Sequence, residues 1–150
     1  MNDKKTLVVN DFIRLTERVA NGKMNVLNFG SEDMTFYRGE IHMIKMVGDY
    51  PGIFISEMAR NFNITRAVVA KTIHKLEERG LIQKVEDEID KKRLCLYLTD
   101  KGKEAYQLHQ EYHKKYDSPL FDYLDSLNKD ELELIQTFLR HANDLVDHHY

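Results

Sequence analysis

The residues best suited to chemistry lie in two neighbouring stretches, NITRAVVAKTIHKLEERGLIQK (63–84) and EDEIDKKR (86–93). At 100° per residue, Val69, Ile73 and Leu76 of the first stretch share one helical face and must pack inward. The opposite side carries Ala67, Ala70, Lys71, His74, Lys75 and Glu78, with Arg66 near its start. Its N-terminal half sets small side chains, Ala67, Val68 and Ala70, beside long cations. Small residues permit close approach to a nucleic-acid groove, and Arg or Lys can bond guanine O6 and N7 or phosphate oxygens. The second stretch puts Lys91, Lys92 and Arg93 in a row on a predicted turn, which suits phosphate contact or a minor groove. The plainer alternative for the helix alone is an amphipathic element with a solvated basic face.

A third group is made of histidines. His109 and His113 stand at i and i+4 in QLHQEYHKK, one turn apart on one helical face, a workable pair of zinc ligands. As a plain alternative they are solvated residues of a polar helix. Catalysis is not expected: the chain has no His-Glu-x-x-His, Gly-x-Ser-x-Gly, phosphate-binding glycine loop or Cys-x-x-Cys.

Charge and composition frame these stretches. Residues 51–103 hold 11 Lys/Arg against 8 Asp/Glu, a net of +3, while the remainder holds 11 against 17, which together give the chain's −3. A basic centre between acidic ends suggests that the centre meets an anionic partner. One cysteine, Cys95, excludes a disulfide framework and suits a reducing cytoplasm. The start, MNDKKTLVVNDFIRL, lacks an apolar run of signal-peptide length, and no uncharged apolar window reaches membrane-spanning length. The sequence therefore predicts a cytoplasmic protein with no membrane partner.

The elements that must position these residues are mostly helical. Residues 4–28 carry a loose stripe of Leu7, Phe12, Leu15, Val19 and Leu27, which predicts a first helix. FGSEDMT reads as a loop, and Thr35 as the cap of a second helix holding Ile41, Ile44 and Val47. Ile55, Met58, Ala59 and Phe62 predict a short third helix. Thr65 and Gly80 then bound the fourth as N-cap and C-terminal stop. Leu81–Val85 and Arg93–Leu98 read as a hairpin, the second strand alternating Leu94, Leu96 and Leu98 with Arg93, Cys95 and Tyr97. Thr99 caps a long helix toward Tyr123, where Pro119 either kinks it or starts a new segment. Asn128 with Glu131 opens a last helix. Helix, turn, helix and a two-stranded wing make a winged helix.

The run PGIFISEMARNFNITRAVVAKTIHKLEERGLIQK, followed by DKKR and LYLTDKG, resembles the MarR family of multiple-antibiotic-resistance-type transcriptional regulators. The resemblance covers the whole chain, with its specific motifs between about residues 51 and 102. It implies a mainly α fold with a small β wing: a winged helix-turn-helix lobe (35–103) flanked by N- and C-terminal dimerisation helices (1–34 and 104–150). It also implies a homodimer in which Leu7, Phe12, Leu15, Leu132, Ile135, Phe138, Leu139 and Val146 face the partner chain. The expected function is a repressor, released by a ligand, on a palindromic double-stranded DNA operator. Carried onto this chain, the major-groove readers are Thr65, Arg66, Ala67, Val68 and Lys71, the backbone contacts Lys75 and Lys84, and the wing contacts Lys91, Lys92 and Arg93.

Two departures stand out. The family's wing commonly has Asp-x-Arg, whereas Asp90 is followed here by Lys91 and Lys92, and lysine lacks the planar fork of arginine. The acidic Glu86, Asp87 and Glu88 beside the tip would oppose a phosphate backbone, so wing contact is expected to be salt-sensitive. For effectors, the resemblance implies small phenolic or lipophilic compounds. Tyr37, Met43, Met46 and Tyr50 are candidate pocket residues, with plain core as the alternative. The zinc-responsive branch adds His42 to His109 and His113 as metal ligands, without a cysteine to assist. The redox-sensing branch uses an N-terminal cysteine, which is absent here. The competing non-enzymatic reading is a winged-helix module for architectural or protein contact, without operator specificity.

Overall fold

The computed structural model describes residues 3–21 and 26–149. Helix α1 (Lys4–Ala20) opens the chain, with the Asp3 carboxylate accepting the Thr6 N–H at 2.8 Å as its cap. The expected first helix thus ends at Ala20 rather than near residue 28; of the remainder, residues 22–25 lie outside the described residues. Val26–Asn28 instead form strand β1, paired antiparallel with β2 (Thr35–Tyr37) in the register Val26–Tyr37, Leu27–Phe36 and Asn28–Thr35. Burial of Leu27 and Phe36 on one side drives this pairing. The turn between them contains a 3-10 segment (Glu32–Met34), and Gly30 at φ +114 supplies a conformation that other residues avoid.

This hairpin also corrects the start of the second helix. Thr35 lies in β2, and α2 (Arg38–Asp49) begins after Tyr37, whose N–H is taken by the Glu40 carboxylate at 2.7 Å. The same device opens α3 (Ile55–Phe62), where Glu57 accepts the Phe54 N–H at 3.2 Å. Between them, Ile53–Phe54 form strand β3, which the sequence did not announce. Strands β4 (Ile82–Glu86) and β5 (Leu94–Leu98) are the expected hairpin, and β3 completes an antiparallel sheet in the order β3-β5-β4.

Helix α4 (Arg66–Glu78) follows α3 through a turn in which Asn63 takes φ 54 and the Ile64 N–H reaches the Ala59 carbonyl at 3.1 Å. Asn tolerates that left-handed conformation better than most residues. The core is the expected inward set: Ile41, Ile44 and Val47 of α2, Met58 of α3, and Val69, Ile73 and Leu76 of α4, closed by Leu81, Ile82 and Leu96. Each such side chain, fully buried, contributes about 1.5–3 kcal/mol.

Helix α5 (Asp100–Asp125) runs without interruption through Pro119, so no new segment starts there. Helix α6 (Lys129–His149) opens with the expected reciprocal cap. Asn128 Oδ1 accepts the Glu131 N–H at 2.9 Å, and Glu131 Oε1 accepts the Asn128 N–H at 3.1 Å. The chain divides into two compact units, residues 1–109 and 110–150. None of the described helices is long and apolar enough to cross a membrane.

Candidate nucleic-acid interface

The outer face of α4 is built from its own caps inward. The Thr65 hydroxyl accepts the Val68 N–H at 3.2 Å, which fixes the first turn. Beyond that bond, Thr65, Arg66, Ala67, Val68, Lys71 and Lys75 are all exposed, while Val69, Ile73 and Leu76 are fully buried. Val68 keeps 50% of its surface open, an apolar residue offered to the outside on a helix whose inner face is already filled. This is the arrangement a groove-entering helix needs: fixed from behind, with small and cationic groups in front.

The C-terminal end of the same helix is held by residues from three other elements. The Arg79 guanidinium donates to the carbonyls of Asp33 (3.2 Å) and Thr35 (3.0 Å), lies 3.8 Å from Glu40, and stacks 4.5 Å over the Phe36 ring. Gly80, at φ +76, ends the helix, and its carbonyl accepts the Thr99 hydroxyl at 2.6 Å. The Lys101 ammonium bonds both the Arg79 carbonyl (3.0 Å) and the Asp33 carboxylate (2.7 Å). Gly102 is needed because a Cβ there would lie 2.0 Å from the Leu81 carbonyl oxygen. The Leu-Thr-x-Lys-Gly run is therefore a latch on the end of α4. Arg79 and Lys101 were not among the expected site residues, and their partners lie tens of residues away in sequence, so the quoted motifs that contain them do not show what they hold.

The wing accounts for one of the three acids beside its tip, Asp87, and for Asp90. Asp87 Oδ2 accepts the Asp90 N–H and Asp90 Oδ1 accepts the Lys92 N–H, each at 3.1 Å, so two of the acids shape the tip. Lys91, Lys92 and Arg93 are exposed on that tip. Arg93 is partly restrained: it lies 3.7 Å from Asp90 and its guanidinium sits 5.0 Å over the Phe54 ring. Lys84 is half-buried, with its ammonium 3.3 Å from Glu77 of α4, so it braces the wing against the helix. Cys95 lies in β5, where burial and the nearby Asp87 carboxylate push its thiol pKa up, the reverse of what a reactive cysteine needs.

The expected effector residues are dispersed. Tyr37 lines a cavity of about 580 Å³ together with Glu40 and Arg79, and Tyr50 lines a separate one of about 420 Å³ with Pro51 and Glu57. Met43 is buried in the core and Met46 is half-buried, and neither lines those cavities. Of the histidines, His109 is buried, with its ring centroid 6.2 Å from that of His42 and 6.3 Å from Phe29. His113 belongs to the second unit, where its Nδ1 lies 2.9 Å from Asp117. Among the described residues, no group of three or more His, Cys, Asp or Glu is placed to hold a metal ion.

The expected partner-facing residues are exposed or half-buried in this single chain. Leu7 and Leu15 of α1 are exposed and Phe12 is half-buried; on α6, Leu132, Phe138 and Leu139 are exposed, with Ile135 and Val146 half-buried.

Comparison with known proteins agrees with this geometry. The MarR family model matches residues 36–94. The chain is 33% identical over 100 residues to YybA, an uncharacterized HTH-type transcriptional regulator of Bacillus subtilis (strain 168), covering 67% of each protein. It is 29% identical over 107 residues to PchR, an HTH-type regulator of the same organism, covering 71% of this chain but only 63% of PchR. Among solved structures, FabT of Streptococcus pneumoniae in complex with DNA superposes with a TM-score of 0.69 at 22% identity, over 94% of this chain and 96% of that one. ZitR of Lactococcus lactis, a zinc-responsive MarR family member, gives 0.73 at 19% identity, over 92% and 96%. The winged-helix fold is common to both. The chain belongs to the MarR family of transcriptional regulators and is not an enzyme.

Proposed function

We propose that this regulator binds a palindromic DNA operator as a homodimer, and that it acts as a cytoplasmic repressor released by a small ligand. The observation that carries the reading is the outer face of α4. Thr65, Arg66, Ala67, Val68 and Lys71 are exposed together on a helix latched at its other end, beside a wing tip bearing Lys91 and Lys92. Dimerisation is supported by apolar side chains left open on α1 and α6, which in water need a covering partner. In this scheme residues 35–103 are the DNA-binding lobe and the flanking helices, 1–34 and 104–150, join the two copies. Two lobes related by a twofold axis present their reading helices one DNA turn apart, roughly 34 Å. Tyr37, beside Glu40 and Arg79 in the larger cavity, is the strongest of the expected effector contacts for a phenolic compound.

The deciding experiment is selection of bound duplexes from a random pool, repeated with phenolic compounds. A palindromic consensus is expected, lost with Lys71→Ala and bound more weakly by Arg66→Ala; a specific-to-random affinity ratio near one would instead favour the architectural module.

Zinc is a second reading, supported by the approach of His42 to His109 and by likeness to the zinc-responsive ZitR. Two imidazoles are half of a tetrahedral set, and the sequence expectation adds His113. Calorimetric titration of metal-stripped protein with zinc decides it: absence of stoichiometric binding tighter than micromolar removes the idea.

A further inference from the structure

Between the start of α4 and the wing lies a cleft of about 220 Å³, several water volumes at about 30 Å³ each. Three elements far apart in sequence supply its walls: Phe54 and Ser56 at the β3–α3 junction, Arg66 of α4, and Lys92 and Arg93 of the wing. Three of these side chains are cations, and no acidic residue is among those that line the cleft. Two acids close in sequence to these residues, Glu57 and Asp90, are engaged in holding the backbone. Glu57 accepts the Phe54 N–H, and Asp90 accepts the Lys92 N–H while lying 3.7 Å from the Arg93 guanidinium. Arg93 is further restrained by its stacking over Phe54, so one donor fork sits at the cleft in a defined place. Ser56 adds a hydroxyl donor to the walls. Like charges gathered around a small cleft repel one another unless an anion joins them, and guanidinium groups match tetrahedral oxyanions in a bidentate manner.

We propose that this cleft is a seat for a phosphate group, with Arg66, Lys92 and Arg93 as its cations. Its occupant on DNA is a backbone phosphodiester held between the reading helix and the wing, and this part rests on the DNA-binding reading above. In the absence of DNA the same chemistry takes free phosphate. One consequence is a change of role for Arg66: it fixes the register of the lobe on the duplex, and base reading passes to Ala67, Val68 and Lys71.

The first arm of the test needs no DNA. The full chain is titrated with inorganic phosphate against chloride at fixed ionic strength, and backbone amide shifts are followed by NMR. Saturable shifts confined to the neighbourhoods of Ser56, Arg66, Lys92 and Arg93 are expected. They should vanish in Arg66→Ala and in Lys92→Ala, both with an unchanged melting temperature. Phosphate shifts that match those of chloride overturn the seat.

The second arm walks a single neutral methylphosphonate along the selected operator. One position per half-site should weaken the wild type about ten-fold and Arg66→Ala far less, as expected for loss of one charged hydrogen bond. The salt slope of Arg66→Ala should fall by about one while its base preferences persist. A variant that keeps its salt slope but relaxes preference at one base pair overturns the assignment of Arg66. Failure to select any DNA sinks the operator reading, and the phosphate titration then decides the seat alone.

Discussion

The two ends of α4 follow opposite plans. At the C-terminal end, Arg79, Gly80 and Leu81 are clasped by Asp33, Thr35, Phe36, Thr99 and Lys101, through bonds of 2.6–3.2 Å and one cation–ring stack. At the N-terminal end, the Thr65 cap is the fixing side-chain bond, and the residues from Arg66 to Val68 face outward. A helix that enters a groove needs both properties. Its orientation must be set by the lobe, because a loose reader spends binding energy on its own ordering. Its leading side chains must be uncommitted, because groups already paired within the protein cannot pair with bases.

The largest expected effect comes from breaking the clasp at its tightest point. In Gly102→Ala the new methyl would meet the Leu81 carbonyl at 2.0 Å, and that atom is backbone that cannot swing aside. A loss of about 4 kcal/mol, at the severe end for single substitutions, is expected in denaturant unfolding. Operator binding should fail through loss of the lobe. A stable Gly102→Ala protein would show that α5 can withdraw from the end of α4, and the clasp would not be the anchor described.

Arg79→Ala is the milder break. It removes two hydrogen bonds, the Glu40 ion pair and the cover over Phe36, and should cost about 2 kcal/mol. Lysine at that position should not rescue it, since one ammonium cannot span two carbonyls and a ring face. Chemical denaturation of the three proteins checks this. Equal stability of wild type and Arg79→Lys would reduce the site to a simple positive charge.

This asymmetry was only half legible in the sequence. The N-terminal end could be read because caps and helical period are local signals: Thr65, Gly80, Val69, Ile73 and Leu76 all stand where the pattern put them. The clasp could not, since Arg79 and Asp33 are 46 residues apart and neither has an unusual neighbour in sequence. Strands β1, β2 and β3 were missed for a related reason. With two or three residues each, they carry too few positions to show a period of two, and pairing with a distant partner defines them. The Glu86, Asp87 and Glu88 run reads from sequence as an obstacle to DNA. The fold turns Asp87 and Asp90 into turn-formers, which no charge count reveals.

At the free end, Thr65→Ala should cost about 1 kcal/mol, the usual weight of an N-cap, and loosen the first turn that carries the proposed readers. Thr65→Ser keeps the acceptor and should restore both stability and operator affinity. Restored stability without restored affinity would show that the Thr65 methyl itself touches DNA. Lys71→Ala lies lower still in stability, within about 0.5 kcal/mol of wild type, while operator binding is lost. That split between folding and function is the signature of an uncommitted face.

The smallest effect separates the two regions by pH. On the lobe behind α4, the Lys45 ammonium and the Tyr106 hydroxyl both hydrogen-bond Asp49, and they hold its carboxyl below the usual range. A lowered pKa means that the folded state binds this proton less readily than the unfolded chain. The stabilisation is therefore complete above the ordinary Asp range, and it drains away as pH falls through the lowered folded value. Lys45 and Tyr106 are shifted upward chiefly by the same hydrogen bonds, so their share persists at neutral pH and is lost only as pH rises through their raised values. Melting temperatures from pH 6 down to pH 3 should fall more steeply for wild type than for Asp49→Asn. Parallel curves would remove Asp49 from the acid sensitivity of the lobe. The free end of α4 should add nothing to that slope, because no acid takes part in the Thr65 cap.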